Sequence, residues 1–204
     1  MRSKDGQFAD WKDASAYAPL LDADRSIFAW EWLRRLPNYR DAVARSGAPP
    51  PNLSRVAIRA DERAARWGLH AFEHPELAGL EARPIWRRDV YPSVLPAHAA
   101  DTNEPEDSFD LERLRNFATY VRSRSRELHP PEVRAARWIL LLRAHDALIA
   151  GAGQREIAER LLDRDAAGRR WRVEAPALRS RVQRLVRSAR SMAAGGYRSL
   201  LTGR

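Results

Sequence analysis

The clearest chemical capability in this 204-residue sequence belongs to a row of arginines near its end: Arg179, Arg181, Arg184, Arg187 and Arg190. At 100° per residue on a helix they fall at about 0°, 200°, 140°, 80° and 20°. Leu178, Val182, Leu185, Val186 and Ala189 take the remaining arc, from about 240° to 340°. One side of such a helix buries and the other is a nearly continuous guanidinium surface. Guanidinium groups bond bidentately to phosphate oxygens and to the O6/N7 edge of guanine, which an ammonium does less specifically. The spacing therefore predicts a recognition helix for double-stranded DNA. Arg181 and Arg184, with Ser180, are expected to read base edges, and Arg155, Arg179 and Arg187 to hold phosphates. Gln154, at the polar start of the preceding helix, joins the expected DNA-binding set.

Other constellations fail on inspection. His70 and His74 have helical metal spacing around Glu73, but Pro75 follows at once and no third ligand is evident. No histidine has arginine three residues on, which argues against a tyrosine recombinase despite Tyr197. Gly195-Gly196 follows a predicted helix and reads as a C-cap, not a phosphate loop. Asp22 and Asp24 read as a helix start. With no cysteine, disulfides, zinc ribbons and thiol nucleophiles are excluded, and a reducing compartment fits. No enzyme, metal or cofactor is expected.

Charge supports the nucleic-acid reading through its location. The whole chain carries 36 basic and 27 acidic residues, net +9. Residues 151–204 hold 13 arginines and 5 acids, +8, which leaves 23 basic and 22 acidic residues, +1, for residues 1–150. Seven arginines and no acid follow Glu174. A surface that serves only solubility mixes both signs, whereas one-sided charge points to a polyanion.

The elements that must carry these residues are mostly helical. A support helix is expected over 132–149, with Trp138, Leu141, Leu142, His145, Leu148 and Ile149 on its buried face and Gly151 as a left-handed cap. A short helix over 154–162 follows, in which Ala158 permits close approach of the next helix while Ile157 and Leu161 fill the core. A loop containing Gly168 and Trp171 then leads to the final helix, Pro176 to about Ala193. That order is trihelical and helix-turn-helix in type, although the last connection exceeds the usual 3–4 residues.

Nearer the start, Asp24 is expected to cap a helix through Leu36. Pro37 should stop it and Asn38 cap a successor with Tyr39 and Val43. Ile27, Trp30 and Leu33 form an apolar stripe with Trp11, Tyr17 and Leu20 available to pack on it; such a stripe is core or partner interface. Trp30, Trp32, Arg34 and Arg35 are the expected partner-binding residues. Residues 46–54 form a Pro-rich spacer, Asp61–Trp67 a short helix, and Pro84-Ile85-Trp86 and Ser93-Val94-Leu95 short strands. The acidic run 101–110 reads as a linker and Leu111–Leu128 as helical. The expected fold class is mainly α, with a small helical N-terminal domain (1–46), a Pro-rich and acidic connecting region with short strands (47–110), and a helical helix-turn-helix-like domain (111–204).

Several of these residues also carry a family likeness. Arg155-Glu156-Ile157-Ala158-Glu159, the Trp171 loop, Leu178-Arg179-Ser180-Arg181-Val182 and Gly195-Gly196-Tyr197-Arg198-Ser199-Leu200-Leu201 resemble a proteobacterial domain of unknown function. It occurs in FseA/QseM-like regulators of integrative and conjugative elements. The front resembles that family's regulator-like N-terminal domain, through Asp10-Trp11, Phe28-Ala29-Trp30-Glu31-Trp32-Leu33-Arg34-Arg35, Asn38-Tyr39-Arg40, Trp67-Gly68-Leu69 and Pro84-Ile85-Trp86. The resemblance implies a transcription regulator with both halves present, as in the activator arrangement. Members carry a strand-rich stretch where this chain has the acidic linker and Leu111–Leu128.

The expected function is thus a DNA-binding transcription regulator, an activator associated with a mobile or conjugative element. Its partners would be double-stranded DNA and RNA polymerase or a related regulator, and the reading is compatible with a homodimer. The rival is a protein-binding antiactivator, because fold alone does not determine function. The longest apolar run, Trp138–Leu142, is far short of a span's ~20 residues, and no apolar stretch follows Met1–Asp5, so neither a membrane segment nor a signal peptide is expected. A cytoplasmic location follows.

Overall fold

The computed structural model describes residues 8–47, 61–82, 84–92, 132–162 and 176–202. A 3-10 helix, Ser15–Asp22, leads into α1 (Arg25–Leu33), α2 (Pro37–Ser46) and α3 (Glu62–Ala65). The later chain forms α4 (Ala135–Ile149), α5 (Gln154–Leu161), α6 (Pro176–Ser191) and α7 (Arg198–Thr202), with a π turn, Met192–Gly196, joining the last two. The fold is mainly helical, and no strand occurs among the described residues. The strand expected around Trp86 reduces to one antiparallel bridge between Leu69 and Trp86, closed by His70 N–H to Ile85 O at 2.9 Å.

Local signals explain most helix ends. The Asp24 carboxylate accepts from Ile27 N–H at 3.0 Å and so satisfies one of the free donors at the start of α1. The Asp61 side chain caps α3 in the same way, accepting from Arg63 N–H at 2.9 Å. Gly151 takes φ +77° just after α4, and Gly195 takes φ +114° at the close of the π turn. Both conformations suit a residue without Cβ.

Three expectations need correction. The first helix ends at Leu33, short of the expected Leu36, and Pro37 is the first residue of α2, with Leu36 rather than Asn38 at the N-cap. Proline fits there because its missing N–H would have had no intrahelical partner. The support helix begins at Ala135 rather than Glu132. Glu132 instead anchors the turn before it, accepting from Arg134 N–H at 3.1 Å and from Arg25 Nε at 2.6 Å. Ile149, expected on the buried face, is 55% exposed, while His145 and Leu148 are half-buried.

α1 is the centre of the molecule. Phe28 through Leu33 are all buried, which is the state of a helix enclosed on every side rather than of one with a single apolar stripe. α4 and α7 pack against it, and the 3-10 helix packs on α4. Phe28 meets Trp138 edge-on at 5.0 Å between ring centroids, and Tyr39 meets Trp30 and Trp67 at 5.8 and 5.4 Å. An aromatic side chain buries 150–250 Å², so at ~25 cal/mol/Å² each contributes roughly 4–6 kcal/mol of gross hydrophobic stabilisation. A single apolar cluster runs from Tyr17 through Trp67, Trp86 and Trp138 to Leu201. The two ends of the chain therefore share one core. The Pro-rich spacer beyond Gly47, the segment 93–131 with its acidic run and expected helix, and the Trp171 loop lie outside the described residues.

Candidate nucleic-acid interface

α4, α5 and α6 form a three-helix unit, with α6 packed on both of the others. The turn from α4 to α5 is closed by Gly151 N–H to Leu148 O at 3.1 Å and Ala152 N–H to Ala147 O at 2.9 Å. On α5, Ile157 and Ala158 point inward and are fully buried. On α6, Leu178, Val182 and Val186 enter the same cluster, and Ala189 is buried a turn further on. Those positions recur every three or four residues, so the back of α6 is fixed by packing along most of its length.

Its front is the arginine row. Ser180, Arg181, Gln183, Arg184, Arg187 and Arg190 are all exposed, and Arg179 is half-buried. Among the described residues no ion pair forms to Arg181, Arg184, Arg187 or Arg190. From Arg181 to Arg190 the helix rises about 13.5 Å at 1.5 Å per residue. Gln154 and Arg155 are exposed at the start of α5. Arg155 carries a carboxylate partner, donating from Nε to Glu159 at 2.9 Å.

The other expected site residues are placed very differently. Trp30 and Trp32 have no exposed surface, and Arg34 and Arg35 are buried beside them. The expectation that these four bind a partner is corrected by this burial: their surfaces are consumed inside the chain. Trp30 Nε1 donates to Leu77 O at 3.1 Å, and the Trp32 ring lies 5.3 Å from that of His145. Arg34 donates from Nη1 to Pro75 O at 3.2 Å, and its Nε lies 3.0 Å from Glu31 Oε1. Arg35 holds Asp146 bidentately, Nε to Oδ1 at 2.8 Å and Nη2 to Oδ2 at 2.9 Å. It also donates to Glu31 through the carboxylate and through the backbone carbonyl, the latter at 2.7 Å. Tyr17 completes the network, its hydroxyl donating to Asp146 Oδ2 at 2.7 Å.

Electrostatics within this network are self-consistent. Burial alone would raise the Asp146 and Glu31 carboxyls, but the guanidinium of Arg35, joined at Glu31 by Arg34, outweighs it. Both acids are held below their ordinary range. Burial would likewise lower Arg35, yet Asp146 and Glu31 raise it well above the usual guanidinium value. Arg34, compensated by Glu31 alone at close range, is lowered on balance by its burial. Burial and then the neighbouring Asp146 charge push the Tyr17 phenol far upward, so it remains a donor.

The sequence reading does not single out Asp146 or Glu31 as structurally decisive. Two signals were available. Glu31 stands three and four residues before Arg34 and Arg35, the spacing at which helical side chains meet. Asp146 follows Trp138, Ile139 and Leu142 on the inward face of an otherwise apolar helix, where a carboxylate requires a buried cation.

Two family models match this chain. Residues 107–202 match a "T6SS, Transcription factor, DNA binding domain", which takes in α4 to α7. Residues 10–70 match a "Proteobacterial transcriptional regulator-like domain", which takes in the 3-10 helix and α1 to α3. Together they indicate a DNA-binding transcriptional regulator, and neither describes an enzyme. No curated protein matches. No solved structure matches. Among the described residues no helix is long and apolar enough to cross a membrane.

Proposed function

We propose that the exposed face of α6 enters the major groove of double-stranded DNA as a recognition helix. Arg181 and Arg184, with Ser180, read base edges there. Arg155, Arg179 and Arg187, with Gln154 beside them, hold the phosphates that set register. The observation that carries this reading is a row of exposed arginines on a helix whose opposite face is locked into the core, in a stretch of sequence without a single acid. Such a row is solvated in the free chain and can exchange that water for the phosphates of a polyanion. The resemblance to FseA/QseM-like regulators supports the further proposal of a cytoplasmic activator tied to an integrative or conjugative element.

The test is fluorescence anisotropy with the full chain on a duplex selected from random sequence by the same protein, against a scrambled duplex of equal composition. A preference of ~10³ or more is expected. If about five phosphates are neutralised, the log–log salt slope is roughly −4 to −5. Arg181→Ala/Arg184→Ala should remove most of the preference, at about 1–3 kcal/mol per base contact, and leave thermal stability within about 0.5 kcal/mol. Equal binding to both duplexes would reduce the protein to a non-specific binder. No binding at moderate salt would overturn the reading and favour a protein-binding antiactivator.

A further inference from the structure

Trp11 belongs by sequence to the regulator-like match at residues 10–70, yet its side chain is built into the three-helix unit. It is 5% exposed and shares a cluster with Ala147 of α4, Ile157 and Ala158 of α5, and Leu178, Val182 and Val186 of α6. Every other buried member of that cluster lies between residues 147 and 186. The short strap around Trp11 is also pinned from outside. Arg143 of α4 donates from Nε to Trp11 O at 2.9 Å and from Nη2 to Lys12 O at 3.2 Å. Lys12 Nζ lies 2.8 Å from Glu156 Oε1 on α5. Asp10 closes the turn, its carboxylate accepting from Lys12 N–H at 3.0 Å. Downstream, the 3-10 helix is held to α4 through Tyr17 and Asp146. The strap thus engages α4 and α5 by polar contacts, and its indole joins the apolar cluster to which α6 contributes Leu178, Val182 and Val186.

α5 has eight residues and offers α6 only two fully buried side chains, Ile157 and Ala158. Trp11 is the largest side chain buried in the wedge that α4, α5 and α6 share, and its removal would leave α6 the most room to shift there. Base readout tolerates displacements of only ~0.5 Å and 10–20° in the groups that perform it. Phosphate contacts through long, flexible arginines tolerate more.

From these contacts, and resting on the DNA-reading role of α6, we propose that Trp11 is a positioning residue for base recognition. The DNA-reading unit is composite, and its recognition helix is aimed in part by a residue from the N-terminal region.

The experiment uses the full chain and the selected and scrambled duplexes described above, with Trp11→Ala, Trp11→Leu and Trp11→Phe. Circular dichroism at the assay temperature identifies the variants that remain folded. For folded Trp11→Ala, or folded Trp11→Leu where the alanine variant does not fold, the preference for the selected duplex should fall at least tenfold. Binding to the scrambled duplex and the salt slope should stay within twofold of wild type. Trp11→Phe, which keeps a ring in the wedge, should recover most of the preference. That pattern separates aiming from simple stability, because a loss of folded protein lowers binding to both duplexes equally. Unchanged preference in a folded alanine or leucine variant would overturn the proposal while leaving α6 as the reader. A wild-type chain without preference would overturn the DNA reading, and this proposal with it.

Discussion

Arginine is used in opposite ways at the two ends of this molecule. Arg34 and Arg35 are buried beside α1, whereas Arg181, Arg184, Arg187 and Arg190 line the exposed face of α6. The difference is the supply of carboxylate. Glu31 sits one helical turn before Arg34 and Arg35, and Asp146 arrives from α4 to complete Arg35. A buried guanidinium is tolerable only with such compensation, because removing it from water costs several kcal/mol. No acid lies within the final helix or after it. Among the described residues Arg181, Arg184, Arg187 and Arg190 form no ion pair, so they stay solvated or meet a polyanion. The same residue type is thus a structural anchor where counter-charge is present and an available ligand-binding group where it is absent.

The sharpest way to break this comparison is to remove the counter-charge. Asp146→Ala leaves Arg35 with half its carboxylate partners and Tyr17 with only the longer bond, 3.3 Å, to the Ala9 carbonyl. The expected loss is about 3–5 kcal/mol of folding stability, read by urea unfolding. Asp146→Asn, which retains an acceptor for Tyr17, should lose less. A loss under ~1 kcal/mol in the alanine variant would mean that Arg35 is not an anchor of this kind.

Acid titration probes the same network without a mutation. Glu31 and Asp146 are held below their ordinary values of 4.5 and 3.8. A carboxyl lowered in the folded state contributes stability that is complete above its unfolded value and disappears as pH falls through its folded value. The urea midpoint should therefore fall steeply as pH drops below 4.5 and then 3.8. Arg184→Ala, which removes no ion pair among the described residues, should follow the wild-type curve. A variant curve shifted along the pH axis would show that the two arginine sets are electrostatically coupled.

What was legible in the sequence is what depends on neighbours within a turn or two. The Asp24 cap, the Gly151 reversal and the recurrence of Leu178, Val182, Val186 and Ala189 are local, and they specify a helix and the side it buries. The fate of Trp30, Trp32, Arg34 and Arg35 is not local. Their stripe could equally have been core or interface, and the choice depends on what covers it. The cover is assembled from α4 and α7, with Leu200 and Leu201 from the far end of the chain. Arg35 and Asp146 are 111 positions apart, so no periodicity links them. Trp11 was recognised as apolar and available for packing, but was assigned to the stripe beside Tyr17 and Leu20. It lies instead among α4, α5 and α6, where a wedge exists only once those helices have come together.

Arg155 stands between the two classes and tests the boundary with the smallest effect. Like Arg35 it has a carboxylate on its own helix, since Glu159 accepts from its Nε; like Arg184 it is exposed, with about half its side chain in water. An exposed pair of this spacing contributes about 0.3–0.5 kcal/mol, so Arg155→Ala should barely move the unfolding midpoint. Its effect on DNA is the informative one. If Arg155 exchanges Glu159 for a phosphate, truncation should weaken binding to selected and scrambled duplexes alike and reduce the magnitude of the salt slope by about 1. An unchanged slope would mean that even an exposed carboxylate partner is enough to withdraw an arginine from the interface. The rule separating the two ends of the molecule would then be the presence of counter-charge alone, with burial only a consequence of it.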